Sequence, residues 1–316
     1  MIQRFTLSAG VIALAAACAT AQAPAEPEDS APGWLTKDFV EFVDTFEGQW
    51  DSDRHVIFAE DAGLDPSKIA PRQHIDIKRV ALAADDAVAN QAVFQAVRTV
   101  EDGEPATLIH TFSIDMEAQS IRQSMSVPGG VLPPEPLDCD VLWNRDGAQF
   151  KGNAVGDGCA GLFPRPAEGG PLDVTMTHSE DDFWVTVVRG ENKVESRLRR
   201  ARPFECWTAI LRGAEHGDSG EGMQDWDFRQ GVKLHDQGGE AELMTDEETP
   251  RRVRLRLRNV DWPYGSNRPS LTLYVLEGDS DRAVSYAWNE GDAERIGINL
   301  RWLQASCTYA PEGEDD

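Results

Sequence analysis

The chain is short of positive charge. Against 55 Asp and Glu it carries 30 Lys and Arg, a formal net charge of −25 with a pI near 4.5. A nucleic-acid binder needs a basic footprint, so nucleic acid is excluded as a partner, and the acidity reads as a solvated surface. Long apolar runs are also scarce. The run Leu7 to Ala17 is too short to cross a bilayer, and no later stretch is both long and apolar enough, so membrane contact is limited to a lipid anchor. Histidines are few, at positions 55, 74, 110, 178, 216 and 235, and none stands at H-x-H or H-x-x-x-H spacing. Spacing therefore signals no metal site, and phosphate-loop and dinucleotide fingerprints are missing.

What is present begins with a targeting segment over residues 1–23, in which Arg4 precedes the apolar run. Leu14-Ala15-Ala16-Ala17-Cys18 reads as a lipobox with Cys18 lipidated; Ala19-Thr20-Ala21 reads as a cleavage site releasing a soluble protein. Both readings export the chain, to the periplasm or to the outer membrane as a lipoprotein. Cysteine usage agrees, because four of the five cysteines remain once Cys18 is set aside. Cys139 and Cys159 close a hairpin, and Cys206 pairs with Cys307; the alternative is four buried free thiols.

Residues 24–33 form a Pro-, Ala- and acid-rich linker, 34–203 a first module, 204–310 a second, and 311–316 an acidic tail. Leu35, Phe39, Phe42, Val43 and Phe46 share one face of a helix with Thr36 as its expected N-cap. After Gly48-Gln49-Trp50 the chain alternates as strands do: Leu108, His110, Phe112 and Ile114; Ile121, Gln123, Met125 and Val127; Val174, Met176 and His178. The expected fold is all-β: an antiparallel, calycin-like barrel with a short N-terminal helix, plus a second small β module stapled by Cys206–Cys307.

Cys139-Asp140-Val141-Leu142-Trp143, Phe150-Lys151-Gly152 and Gly158-Cys159 resemble the C-x-x-x-W … F-K-G … G-C segment of the CpcT/CpeT-type chromophore lyases, which attach bilins to phycobiliproteins. The helix with its G-x-W, a Gln91-Ala92 strand, Asp182-Phe183-Trp184-Val185 and Arg202-Pro203-Phe204 extend the resemblance over residues 35–203. It implies a calyx holding a bilin, another tetrapyrrole or an apolar ligand, and thioether formation on a client protein's cysteine. The chain departs from that pattern where Asn90-Gln91-Ala92-Val93 stands for a Glu-Gln-Ala-Tyr-like strand and Pro105-Ala106-Thr107-Leu108 for a Tyr-Arg-Gln-Arg-like one. A non-catalytic carrier of a lipid or apolar ligand, or an interaction scaffold, is the alternative function. A homodimer is a further expectation.

His110, Gln91, Arg98, Phe112, Met125 and Trp143 are the candidate ligand contacts, with no catalytic residue named. His110 is also readable as a core histidine bonded to a neighbouring strand, and Arg98 as an outward, solvated side chain. Arg252, Arg254, Arg256 and Arg258 put four guanidinium groups on one strand face at ~7 Å intervals. Pairing with acids on adjacent strands is the expected reason; an anionic docking face is the other. Gly217-Asp218-Ser219-Gly220 mimics part of the chymotrypsin nucleophile loop but reads as a glycine-rich loop, since no suitable His-bearing strand accompanies it. Trp226, Trp262 and Trp288 could rim a pocket or pack in the core.

Overall fold

The computed structural model describes residues 31–81, 90–101, 103–128, 135–156, 159, 172–213, 225–260 and 268–311. Cys18 and its flanks, the Gly217–Gly220 loop and Trp262 lie outside the described residues. No described helix is long and apolar enough to cross a membrane.

The first module opens on α1 (Gly33–Phe46), whose Leu35, Phe39, Phe42, Val43 and Phe46 are buried as the spacing expects. Thr36 is not its cap. The helix starts three residues earlier, behind Pro32, and the Thr36 hydroxyl reaches the Pro32 carbonyl from inside the first turn. A second helix, α2 (Asp53–Asp61), follows the first strand. The strands are β1 (Gly48–Asp51), β2 (Gln73–Arg79), β3 (Gln91–Val100), β4 (Ala106–Asp115), β5 (Ser120–Val127), β6 (Glu135–Asp146), β7 (Gln149–Val155), β8 (Leu172–His178), β9 (Asp182–Arg189) and β10 (Asn192–Ala201). Each pairs antiparallel with its sequence neighbour, and β1 also pairs with β10, closing a ten-stranded barrel. Closure removes the exposed strand edges that an open sheet of this size would carry.

Alpha-1 plugs one end. The Phe42 ring lies 4.9 Å from Trp143, 5.1 Å from Phe150 and 5.2 Å from Phe112, and Phe46 lies 4.7 Å from Phe112. The two short motifs acquire physical reasons here. Gly48 has φ +127°, and a Cβ on it would sit 2.5 Å from the Arg200 guanidinium. That guanidinium lies over the Trp50 ring at 4.4 Å and donates to the Thr45 and Glu47 carbonyls, tying the end of α1 to the barrel wall. Gly152 stands opposite Trp143, and a Cβ there would meet the indole at 2.8 Å.

The second module is built from β11 (Pro203–Leu211), β12 (Trp226–His235), β13 (Gln237–Met244), β14 (Arg252–Val260), β15 (Ser270–Glu277), β16 (Ser285–Glu290), β17 (Arg295–Asn299) and β18 (Leu303–Tyr309). They form two four-stranded sheets, ordered β12-β11-β18-β17 and β13-β14-β15-β16, packed over one apolar core. Val253, Leu255 and Leu257 enter that core. Arg252, Arg254, Arg256 and Arg258 take the other face and pair with Glu242, Glu240, Glu240 and Asp53, so the ladder is an ion-pair lattice. Both disulfides form: Cys139–Cys159 and Cys206–Cys307, the latter between directly paired residues of β11 and β18. Trp226 packs against the sandwich core, whereas Trp288 is 70% exposed.

Candidate ligand cavity and the joint between modules

The inward positions of the barrel change character along its length. Near α1 they are aromatic and fill the interior: Phe94, Phe112 and Trp143 are fully buried. Beyond Phe46 they shrink to Ile75, Ile77, Ala96, Leu108, Met125, Met176, Val185 and Leu198, leaving a cavity of about 70 Å³. That is room for roughly five waters, or for one ring or a short aliphatic chain. Five polar side chains share the cavity with these walls: Gln73, Arg98, His110, Gln123 and Ser196.

Three of the sequence candidates, His110, Arg98 and Met125, line this cavity. Arg98 alternates with Ala92, Phe94 and Ala96 and turns inward, where burial lowers its pKa; the solvated reading does not hold. Phe112 and Trp143 instead pack against α1. Gln91 is a correction. It lies one residue from the inward Ala92, on the opposite face of β3, and takes no part in the cavity, because strand alternation sends adjacent side chains to opposite faces.

His110 belongs to a relay whose proton positions can be deduced. The Trp143 Nε1–H, which can only donate, points at Gln123 Oε1 at 2.8 Å. The Gln123 amide nitrogen is thereby turned to His110 Nδ1, 2.7 Å away, so Nδ1 accepts and the ring's proton is on Nε2. Burial pushes the His110 pKa down to about 4, and the ring is neutral near pH 7. It can donate one hydrogen bond from Nε2 but has no imidazolium proton to deliver. His110 is thus bonded to the neighbouring strand and also lines the cavity. Gln73 Nε2 donates to Ser196 Oγ at 3.1 Å on the cavity wall.

A second cluster, which no local spacing could signal, sits where the sandwich meets the barrel. Asp51 ends β1, His74 lies on β2, and His235 ends β12. Their donor atoms lie within 4.8 Å of one another. Asp51 is fully buried, its Oδ1 accepting from the Asp53 N–H at 2.7 Å and Arg72 Nε at 3.0 Å. Its Oδ2 accepts from Arg72 Nη2 at 3.0 Å and pairs with His74 Nδ1 at 3.1 Å. Burial alone would raise the Asp51 pKa, but the bonds from His74 and Arg72 and the charge of Arg72 hold it below the ordinary carboxylate value. Arg72 also donates to the Gly238 carbonyl at 2.9 Å, and Asp236 takes Arg202 Nε at 2.7 Å, so the β12–β13 turn is a joint rather than a free loop.

Comparison of the chain with protein-family models, with curated proteins and with solved structures finds no match in any of the three.

Proposed function

We propose that this protein is an exported, ligand-holding calyx of the CpcT/CpeT chromophore-lyase type, which grips one end of an elongated hydrophobic molecule, such as an open-chain tetrapyrrole, without joining it to a client. The observation that carries this reading is the cavity: apolar walls with Arg98 and the Nε2–H of His110 on one lining. Such a pairing suits a ligand that ends in a carboxylate or carbonyl beside an apolar body. A volume of about 70 Å³ admits one ring or tail and leaves the remainder of a tetrapyrrole outside. Holding is favoured over lyase chemistry because the neutral His110 is a hydrogen-bond donor rather than an acid. The four cysteines of the two modules are disulfide-bonded, which suits an exported protein. The second reading is a lipid carrier, favoured by the same narrow volume, which matches an acyl tail.

The test is native mass spectrometry and absorption spectroscopy of the full chain purified from its host's envelope, followed by titration with biliverdin. A pigment bound one to one, with affinity lowered roughly 2- to 10-fold in His110→Ala, is expected for loss of one hydrogen bond. A colourless protein carrying a lipid-sized mass selects the carrier. If nothing co-purifies and biliverdin does not bind, both readings are overturned.

A further inference from the structure

The joint between barrel and sandwich holds a buried imidazole whose hydrogen bonds are unmade. His235 Nδ1 is buried without a partner, and Nε2 stands 3.7 Å from Asp51 Oδ2, beyond hydrogen-bond range. A buried polar group left in that condition is costly, and native structures normally satisfy it with a water, an ion or a partner. The Nε2 edge of this ring faces the same carboxylate oxygen that His74 Nδ1 approaches at 3.1 Å. Two imidazole nitrogens and one carboxylate oxygen thus converge from three strands, within 4.8 Å.

We propose that Asp51 Oδ2, His74 Nδ1 and His235 Nε2 bind one first-row transition-metal ion, which fastens the sandwich to the barrel. The donor set selects the metal: two imidazoles and one carboxylate suit Zn²⁺, Co²⁺, Ni²⁺ or Cu²⁺, whereas Mg²⁺ and Ca²⁺ prefer all-oxygen shells. Proton bookkeeping closes without release. The His74 proton shifts from Nδ1 to Nε2, and the His235 proton resides on Nδ1, which the ion leaves without a partner, so both ligating nitrogens are bare. The rings are stacked, with centroids 4.6 Å apart and planes at 17°, so joint ligation requires the imidazoles to turn about their side-chain torsions until both in-plane lone pairs meet at the ion.

Arg72 is the opposing feature. Its guanidinium donates to both Asp51 oxygens, with Nη2 3.0 Å from the ligating Oδ2 itself, and repels a cation. Asp53 offsets part of this, standing 3.5 Å from Arg72 and 3.0 Å from Arg258. Asp51, Asp53, Arg72 and Arg258 sum to zero, Glu240 adds a negative charge that also acts on Arg72, and the whole chain carries −25. Arg72 therefore orients the ligating carboxylate as an outer-shell partner and moderates the affinity rather than closing the site.

The full chain, stripped with chelator, is titrated with ZnCl₂ and CoCl₂, with MgCl₂ as control, by calorimetry and thermal melting. One equivalent of Zn²⁺ is expected to bind and raise the melting midpoint by roughly 5 °C at saturating ion, with Mg²⁺ inert. Co²⁺ should give visible ligand-field bands, a signature independent of any variant. His74→Ala removes a half-exposed side chain, so its fold should persist by far-UV circular dichroism while the equivalent and the bands are lost; His235→Ala should behave alike. Absence of a bound equivalent in the wild-type chain overturns the proposal. So does an equivalent retained by both variants, which would place the ion elsewhere.

Discussion

Replacing Gln123 by Leu is the sharpest test of the barrel's polar relay. The two side chains are similar in volume, so packing around position 123 changes little. What changes is that the Trp143 Nε1–H and the His110 Nδ1 lone pair, held at 2.8 and 2.7 Å, lose their partners together. Both are buried, and each abandoned group costs on the order of 1–3 kcal/mol. Removing the desolvated amide itself returns part of this, which leaves a net loss of about 2–4 kcal/mol. Urea unfolding with a common m-value for the two proteins measures it directly. Nitrogen NMR of imidazole-labelled protein adds an independent reading: in the wild type His110 Nδ1 should show the shift of an unprotonated acceptor, and in Gln123→Leu that assignment is no longer enforced. A loss under 1 kcal/mol, or a wild-type Nδ1 that carries the proton, would refute the relay as drawn.

Acid should weaken the fold well above the carboxylate range. His110, His178 and His235 are held neutral with pKa values lowered to about 4, 3 and 3, so their contribution is complete above the unfolded value near 6.5 and lost as pH falls below it. Each adds a slope of about 1.4 kcal/mol per pH unit, so melting midpoints should drop steeply between pH 6 and 5, and flat midpoints there would contradict their burial. Phe42→Ala removes the ring at the centre of the plug, which touches Phe112, Trp143, Phe150 and His178, and should cost about 3–5 kcal/mol by chemical denaturation. Opening Cys206–Cys307 with a double Ser substitution releases a loop spanning a sequence separation of 101 and should lower stability by about 4–5 kcal/mol, against about 3 for Cys139–Cys159. Arg256→Ala, by contrast, breaks a partly exposed pair with Glu240 and should cost under about 1 kcal/mol, less still in high salt.

The parts that were legible beforehand are those whose signal is local. The apolar face of α1, the period-2 strands and Cys139–Cys159 follow from spacing, because 3.6- and 2-residue periods and hairpin closure act over short stretches, while Cys206–Cys307, 101 residues apart, follows as the pair left over. The arginine ladder was read as paired, and its acids duly lie on the adjacent β13 and beyond. His110 was correctly turned inward by alternation. Alpha-2 was not marked, since its Asp53–Asp61 segment buries only Ala59 and so carries little apolar periodicity. Gln91 sits in a motif that points to the ligand, but the alternation of its own strand turns it to the opposite face from Ala92.

By itself the sequence determined an all-β chain with a short N-terminal helix, two modules each with its own disulfide, a strongly acidic composition and an inward histidine. Tertiary structure alone decided three things. It closed ten strands into a barrel and set the aromatic fill that narrows the interior to about 70 Å³. It paired Gln123 with both His110 and Trp143, fixing a tautomer that no single strand specifies. And it brought His235 from the sandwich to Asp51 and His74 of the barrel. The reason is the same in each case: these contacts join residues far apart along the chain, where no local period links them, and only packing of one sheet against another sets their distance.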